Sequence, residues 1–80
     1  MYYLYILYSS DLDKYYVGST NDLERRLSDH NRGKDRFSRQ AKIWILKYTE
    51  VYESRSDAYG REQEIKKKKS RKYIESLISD

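Results

Sequence analysis

Met1–Gly18, MYYLYILYSSDLDKYYVG, is the stretch whose reading decides the fold. Tyr2–Tyr8 is a run of aromatic and branched side chains, which favour a pleated, half-buried surface. Ser9–Lys14, SSDLDK, is polar and turn-like, and Tyr15–Gly18 is a second short run of the same kind. Two such runs around a turn make a β-hairpin, here with a connection longer than the commonest two-residue loop. Within the first strand Tyr3, Tyr5 and Leu7 share one face, and Tyr2, Leu4 and Ile6 share the other. An odd sum of paired residue numbers would put Tyr5 and Tyr16 on the same face; the residues alone do not set that register.

After the hairpin the pattern turns helical. Asn21 followed by Glu24 resembles a capping box, so a helix is expected to run to about Asn31 and stop near Gly33. Its apolar stripe is thin, carried by Leu23 and Leu27, with Arg26 and His30 bordering it. Gly33–Lys42, GKDRFSRQAK, sets Lys34, Arg36, Arg39 and Lys42 against Asp35 and is expected to be an exposed loop. Ile43–Tyr52, IWILKYTEVY, reads as a strand, and as the central one. Ser54 or Ser56 then caps a second helix over about 56–69. Ala58 and Ile65 mark its inner face, Glu62 lies between them, and Gly60 weakens it by ~1 kcal/mol relative to alanine. A third helix, capped by Ser70, carries Tyr73, Ile74, Leu77 and Ile78. The expected fold is α/β in the α+β sense: a small, mostly antiparallel three-stranded sheet flanked by three helices, in the order β-β-α-β-α-α, as a single domain over residues 1–80.

Composition narrows the possible functions. The chain has 80 residues, and ten tyrosines account for much of its 38% hydrophobic content, so conventional apolar side chains are few. With no cysteine, disulfides and cysteine-ligated zinc or iron–sulfur sites are excluded, and one histidine excludes a His-x-x-x-His zinc helix. A mean hydropathy of −1.10 raises the question of disorder. The 15% aromatic content, the absence of proline and the presence of only three glycines argue for a packed domain. No stretch approaches the ~18–20 apolar residues of a membrane span, and the start lacks the basic region of a signal peptide. A soluble, reduced, cytoplasmic protein is expected, with no membrane partner. The net charge of +4 suits an anionic partner such as nucleic acid.

Three features depart from simple amphipathicity: Arg26 and His30 at the edge of one buried face, Glu62 on another, and the paired aromatic strands. A structural account of Glu62 is an exposed-edge residue or one half of an ion pair, with Arg26 as a candidate partner. In order along the chain, however, come Tyr3-Leu4-Tyr5, Tyr16-Val17-Gly18, Asn21, Leu23, Arg26, His30-Asn31-Arg32-Gly33, the strand Trp44–Tyr48, Tyr52-Glu53-Ser54-Arg55 and Arg61-Glu62. This combination resembles the GIY-YIG nuclease family over nearly the whole chain, in particular its small bacterial members and its DNA-structure-selective nucleases. Three departures stand out. Tyr3 occupies the glycine position of the first motif, Ser19 stands where some relatives carry lysine, and no asparagine follows Asn31, where larger relatives have one in the active site.

The resemblance implies a metal-dependent phosphodiesterase, with Mg²⁺ or another divalent metal as cofactor. Tyr5 would be general base or water-orienting group, Tyr16 would orient the phosphate, and Arg26 would stabilise its charge. His30 would assist near the nucleophile, and Glu62 would hold the metal. Elementary chemistry is consistent with these roles. Phosphodiester cleavage needs an in-line nucleophile and stabilised oxygen charge. A guanidinium forks onto two phosphate oxygens. One carboxylate suits Mg²⁺, which keeps several waters. Tyrosine, with a reference pKa of ~10, is a poor base unless cations favour its phenolate.

The other tyrosines, Tyr2, Tyr8, Tyr15, Tyr48, Tyr52, Tyr59 and Tyr73, read as core or rim residues with hydroxyls in water. Lys66–Lys69 suits the negative end of the helix dipole as a solvated turn, or else contacts phosphate without regard to sequence. Lys34, Arg36 and Arg39 of the loop, with Lys66 and Lys67, are the candidate nucleic-acid contacts. The expectation is a magnesium-dependent endonuclease on DNA, structure-selective or non-specific, with RNA as the other possible nucleic acid. The alternatives are a non-catalytic nucleic-acid-binding module and a small subunit of a larger nuclease assembly, targeted by a protein partner. Oligomeric state is open at this level.

Overall fold

The structure, a computed structural model, describes residues 1–32 and 43–79. Six elements follow in the order β1 (Tyr2–Ser9), β2 (Lys14–Thr20), α1 (Leu23–Asn31), β3 (Ile45–Tyr52), α2 (Arg55–Lys68) and α3 (Arg71–Ser79). They form an α+β fold in which β1 pairs antiparallel with β2 on one side and with β3 on the other.

The central strand is β1, which corrects the assignment of that place to Ile43–Tyr52. Leu4, Tyr5, Ile6 and Leu7 are each no more than 2% exposed, so β1 is covered on both faces. Lys47, Thr49 and Val51 of β3 remain exposed and alternate with half-buried Tyr48, Glu50 and Tyr52. Such alternation belongs to a one-sided strand, whereas a continuous apolar run belongs to one covered twice. A β-bulge near Lys47, where Ile6 pairs with Tyr48 but Leu7 with Leu46, shifts the register along β3.

Tyr5 pairs with Gly18 and Leu7 with Tyr16, the odd-sum register that puts Tyr5 and Tyr16 on one face. On that face Tyr5, Leu7 and Trp44 form a core lined by Tyr16 and by Leu23 and Leu27 of α1. Leu4, Ile6, Val17 and Ile65 form the core of the opposite face, closed by tyrosines and by Ile74, Leu77 and Ile78 of α3. The sheet therefore lies between α1 on one side and the α2–α3 pair on the other.

Local chemistry sets the element boundaries. Asp22, not Asn21, caps α1, its carboxylate accepting the Arg25 N–H at 3.1 Å. Thr20 Oγ1 accepts the Asp22 N–H at 3.1 Å, which fixes Asp22 at the helix entrance. Ser54 caps α2 by accepting the Asp57 N–H, and Ser70 caps α3 by accepting the Tyr73 N–H. Lys69 ends α2 in the left-handed conformation at φ 48°. In the hairpin turn Asp13 adopts φ 53°, and its carboxylate accepts from Tyr8 Oη and Arg71 Nη2, each at 2.6 Å, tying the turn to α3.

The tyrosine hydroxyls are engaged by charged groups more than the sequence suggests. Glu50 accepts from Tyr48, Tyr52 and Arg61, and Arg61 reaches on to Glu64 and Tyr73. Tyr15 donates to Glu75 at 3.2 Å. Among the seven read as core or rim, Tyr59 is the exception to partial burial, at 55% exposed.

Candidate functional site

The site begins with an empty position on β2. Gly18 faces Tyr5 across the strand pair, and a β-carbon there would lie 2.5 Å from Tyr5 Oη and 2.6 Å from Cζ. The absence of a side chain at Gly18 is what lets the Tyr5 ring lie flat across β2. Tyr16, two residues earlier on the same face, stacks on it with ring centroids 6.3 Å apart and planes at 22°.

From α1, Arg26 and His30 are one turn apart and reach the same oxygen. Arg26 Nε donates to Tyr5 Oη at 3.2 Å, and Tyr5 Oη lies 3.2 Å from His30 Nε2. Arg26 can only donate, which leaves the phenolic proton available to His30 in the tautomer with Nε2 unprotonated. His30 is fully buried and does not merely border the core. Its ring packs edge-on to Tyr16 at 4.4 Å between centroids. Trp44, 1% exposed, closes the cluster against Tyr16 at 6.2 Å and His30 at 6.4 Å.

Asn31 has a different task. Its Oδ1 accepts the Trp44 N–H at 2.7 Å, and its Nδ2 donates to the Trp44 carbonyl at 3.4 Å. The side-chain amide thereby mimics a strand partner and pins Trp44 beneath the site.

Glu62 approaches from α2. It is buried at 8% exposure between Ala58 and Ile65, as its spacing indicated. Its Oε1 accepts from Ser19 Oγ at 2.7 Å, and its Oε2 pairs with Lys66 Nζ at 2.6 Å. Ser19 follows Gly18 on β2, so the two positions face opposite sides of the sheet and the chain passes between Tyr5 and Glu62. Glu62 also lines a groove of about 820 Å³ together with Ser19, Asn21, Arg25, Arg55 and Tyr59.

Burial pushes the Tyr5 hydroxyl up to about 12, a rise that Arg26 reduces and the charge of Glu62 increases. In this state Tyr5 is a phenol at neutral pH. Burial also works against charge on Arg26, but the hydroxyls of Tyr5 and Tyr16 outweigh it and leave its pKa above the ordinary value.

The structure thus brings Tyr5, Tyr16, Arg26 and His30 together on one face and places Glu62 across β2 from them. Lys66 is held on Glu62, and Lys67 is exposed in the last turn of α2. Lys34, Arg36 and Arg39 lie outside the described residues. Sequence reasoning missed Arg25 and Arg55 in the groove wall, Ser19 on Glu62 and Trp44 beneath the cluster. The lone tryptophan was the available signal for the last, because so large a ring in a small domain must pack on something.

One carboxylate in this groove does not make a multidentate cage, and among the described residues no three His, Cys, Asp or Glu side chains gather to hold a metal. The arrangement fits an ion that takes one protein oxygen and fills its remaining positions with water and phosphate, which is the habit of Mg²⁺. No helix among the described residues is long and apolar enough to cross a membrane.

A family model described as the GIY-YIG catalytic domain matches residues 1–74. A UPF0213 protein of Halobacterium salinarum is 37% identical over 67 residues, covering 82% of this chain and 86% of its own. One from Streptococcus pneumoniae is 35% identical over 79 residues, covering 98% of this chain and 78% of its own. The solution NMR structure of a UPF0213 protein from Bacillus halodurans aligns with a TM-score of 0.59 at 34% identity, covering 99% of this chain and 84% of that one.

Proposed function

This chain belongs to the GIY-YIG family, and from that membership we propose that it is a divalent-metal-dependent phosphodiesterase acting on DNA.

 The activity proposed is magnesium-dependent endonucleolytic hydrolysis. The observation that carries this reading is the convergence of Arg26 and His30 on the Tyr5 hydroxyl oxygen, with the Glu62 carboxylate in the wall of a groove across β2 from them.

Glu62 would hold the ion, which when bound supplies charge to stabilise phosphoryl and leaving oxygens. The protein groups have separate tasks. The Arg26 guanidinium stays charged and is fixed in direction by Tyr5, so it is oriented before a phosphate arrives. Tyr5, a phenol in this state, orients the attacking water through its hydroxyl, and His30 Nε2 is placed to exchange a proton with that hydroxyl. Tyr16 and Trp44 keep His30 and Tyr5 in register. Arg25 and Arg55 in the groove wall, together with Lys34, Arg36, Arg39, Lys66 and Lys67, would contact the nucleic-acid backbone. That footprint is independent of sequence and favours structural over base-specific selection.

The test is cleavage of nicked, flapped and branched DNA, and of RNA, with and without Mg²⁺. Arg26→Ala and Glu62→Ala are each expected to abolish cleavage while leaving the fold intact by circular dichroism. Metal-dependent cleavage retained in both variants would sink the proposal.

The engagement of both Glu62 oxygens by Ser19 and Lys66 favours a second reading, a nucleic-acid-binding module without cleavage. Salt-dependent DNA binding with no magnesium-dependent nicking on any of these substrates would select it.

A further inference from the structure

Glu62 and Lys66 stand one turn apart on α2, and their ion pair separates two grooves. Glu62 lines the groove already described. Lys66 lines a second, of about 620 Å³, with Lys14, Tyr16, Lys69 and Arg71. Four cationic side chains border the second groove, with Asp13 its one acidic group, paired to Arg71, and Tyr16 is shared between this lining and the Tyr5 cluster.

The two partners of Glu62 differ in what they can do. Ser19 Oγ is a short hydroxyl fixed on β2. Lys66 Nζ is at the end of a flexible stem, and its side chain is 46% exposed against 11% for Glu62. A hard divalent cation binding Glu62 needs a carboxylate oxygen at about 2.0–2.1 Å. The ammonium at 2.6 Å from Oε2 occupies that approach and repels the ion. The lysine can leave without exposing a buried charge, whereas the carboxylate cannot leave at all.

Resting on Glu62 as the metal ligand, we infer that Lys66 is a resident counter-ion which a divalent cation displaces. The released ammonium then meets phosphate oxygens of nucleic acid lying in the second groove. Ser19 stays on Oε1 in both states and keeps the carboxylate aimed. Because one lysine serves both partners, cation entry and nucleic-acid capture favour each other, and the coupling is reciprocal.

The test is Mg²⁺ titration of the wild-type protein, Lys66→Met and Lys68→Met, by calorimetry and by NMR of the Glu62 carboxyl and Lys66 Cε signals. Lys68 lies on the same helix with its ammonium 5.1 Å from the Tyr73 ring centroid, so its loss controls for charge alone. Lys66→Met is expected to bind Mg²⁺ about three- to fivefold more tightly, the range of a partly exposed ion pair. Lys68→Met is expected to match wild type, and in wild type the Lys66 and Glu62 signals are expected to move together. A short single-stranded oligonucleotide is expected to tighten Mg²⁺ binding in wild type and not in Lys66→Met.

Equal Mg²⁺ affinity in wild type and Lys66→Met, with Glu62 signals moving in both, would overturn the inference alone. Equal tightening in Lys66→Met and Lys68→Met would do the same, as would an oligonucleotide effect identical in wild type and Lys66→Met. If Mg²⁺ moves no Glu62 signal in any of the proteins, the metal-site reading fails and this inference fails with it.

Discussion

Tyr5 lies over Gly18 so closely that no other residue at position 18 leaves the ring where it is: a β-carbon there would sit 2.5 Å from Tyr5 Oη. The glycine of the second motif is therefore a steric requirement of the tyrosine of the first. Gly18→Ala is expected to displace the ring, break its bonds to Arg26 and His30, and cost about 1–3 kcal/mol as overpacking. Chemical denaturation measures the loss, and the Tyr5 ring signals report the displacement. Gly60→Ala is the contrasting case, because a β-carbon at Gly60 meets nothing within 4 Å. It is expected to stabilise the protein by about 1 kcal/mol.

The Tyr5 hydroxyl is expected to stay protonated well above the ordinary tyrosine value of 10.0, titrating at about 12. Its folded value is raised, so its contribution to stability is complete below 10 and is lost as pH rises from there through about 12. Tyrosine Cζ NMR across this range measures it. A Tyr5 signal titrating at 10 or below would show that burial does not dominate its environment. Arg26→Met, which removes the opposing influence, is expected to move the titration higher still.

Glu50 anchors the opposite face. Burial works against its charge, but hydrogen bonds from Arg61, Tyr48 and Tyr52 hold its pKa below the ordinary 4.5. With the folded value depressed, this stabilisation is fully present above pH 4.5 and is lost as pH falls through the lower folded value. Glu50→Ala strands Arg61 and two hydroxyls in a half-buried position and is expected to cost about 2–3 kcal/mol at neutral pH. Denaturation midpoints of wild type and variant should converge in acid. A gap unchanged on acidification would contradict the linkage.

Asn31→Ala removes both bonds that hold the Trp44 backbone. The expected cost is about 1–2 kcal/mol, with a shift in tryptophan fluorescence as Trp44 loosens beneath Tyr16 and His30. Unchanged fluorescence and stability would mean that ring packing alone seats Trp44.

Several features could be read from the residues because they are local. The hairpin follows from two aromatic runs around SSDLDK, and the caps at Ser54 and Ser70 follow from serine oxygens placed to accept the N–H three residues on. Glu62 declared itself by lying between Ala58 and Ile65 at helical spacing. The Asp22 cap was misplaced by one residue because Asn21 and Asp22 are both good caps, and Thr20 decides between them through the Asp22 N–H.

What only the tertiary structure decided is which partner each element meets. The order of strands depends on which surfaces two layers of helices cover, so Ile43–Tyr52 could look central until β1 proved to be buried on both sides. The odd-sum register joins Tyr5 to Tyr16, and no strand states its own register when both its faces are apolar. Glu62 meets Ser19, and Glu50 meets Arg61, across separations in the chain that only packing closes. Side-chain type and spacing determine what a residue can do locally; the choice of its partner is made by the summed burial of the whole domain, to which every residue contributes and which no short stretch contains.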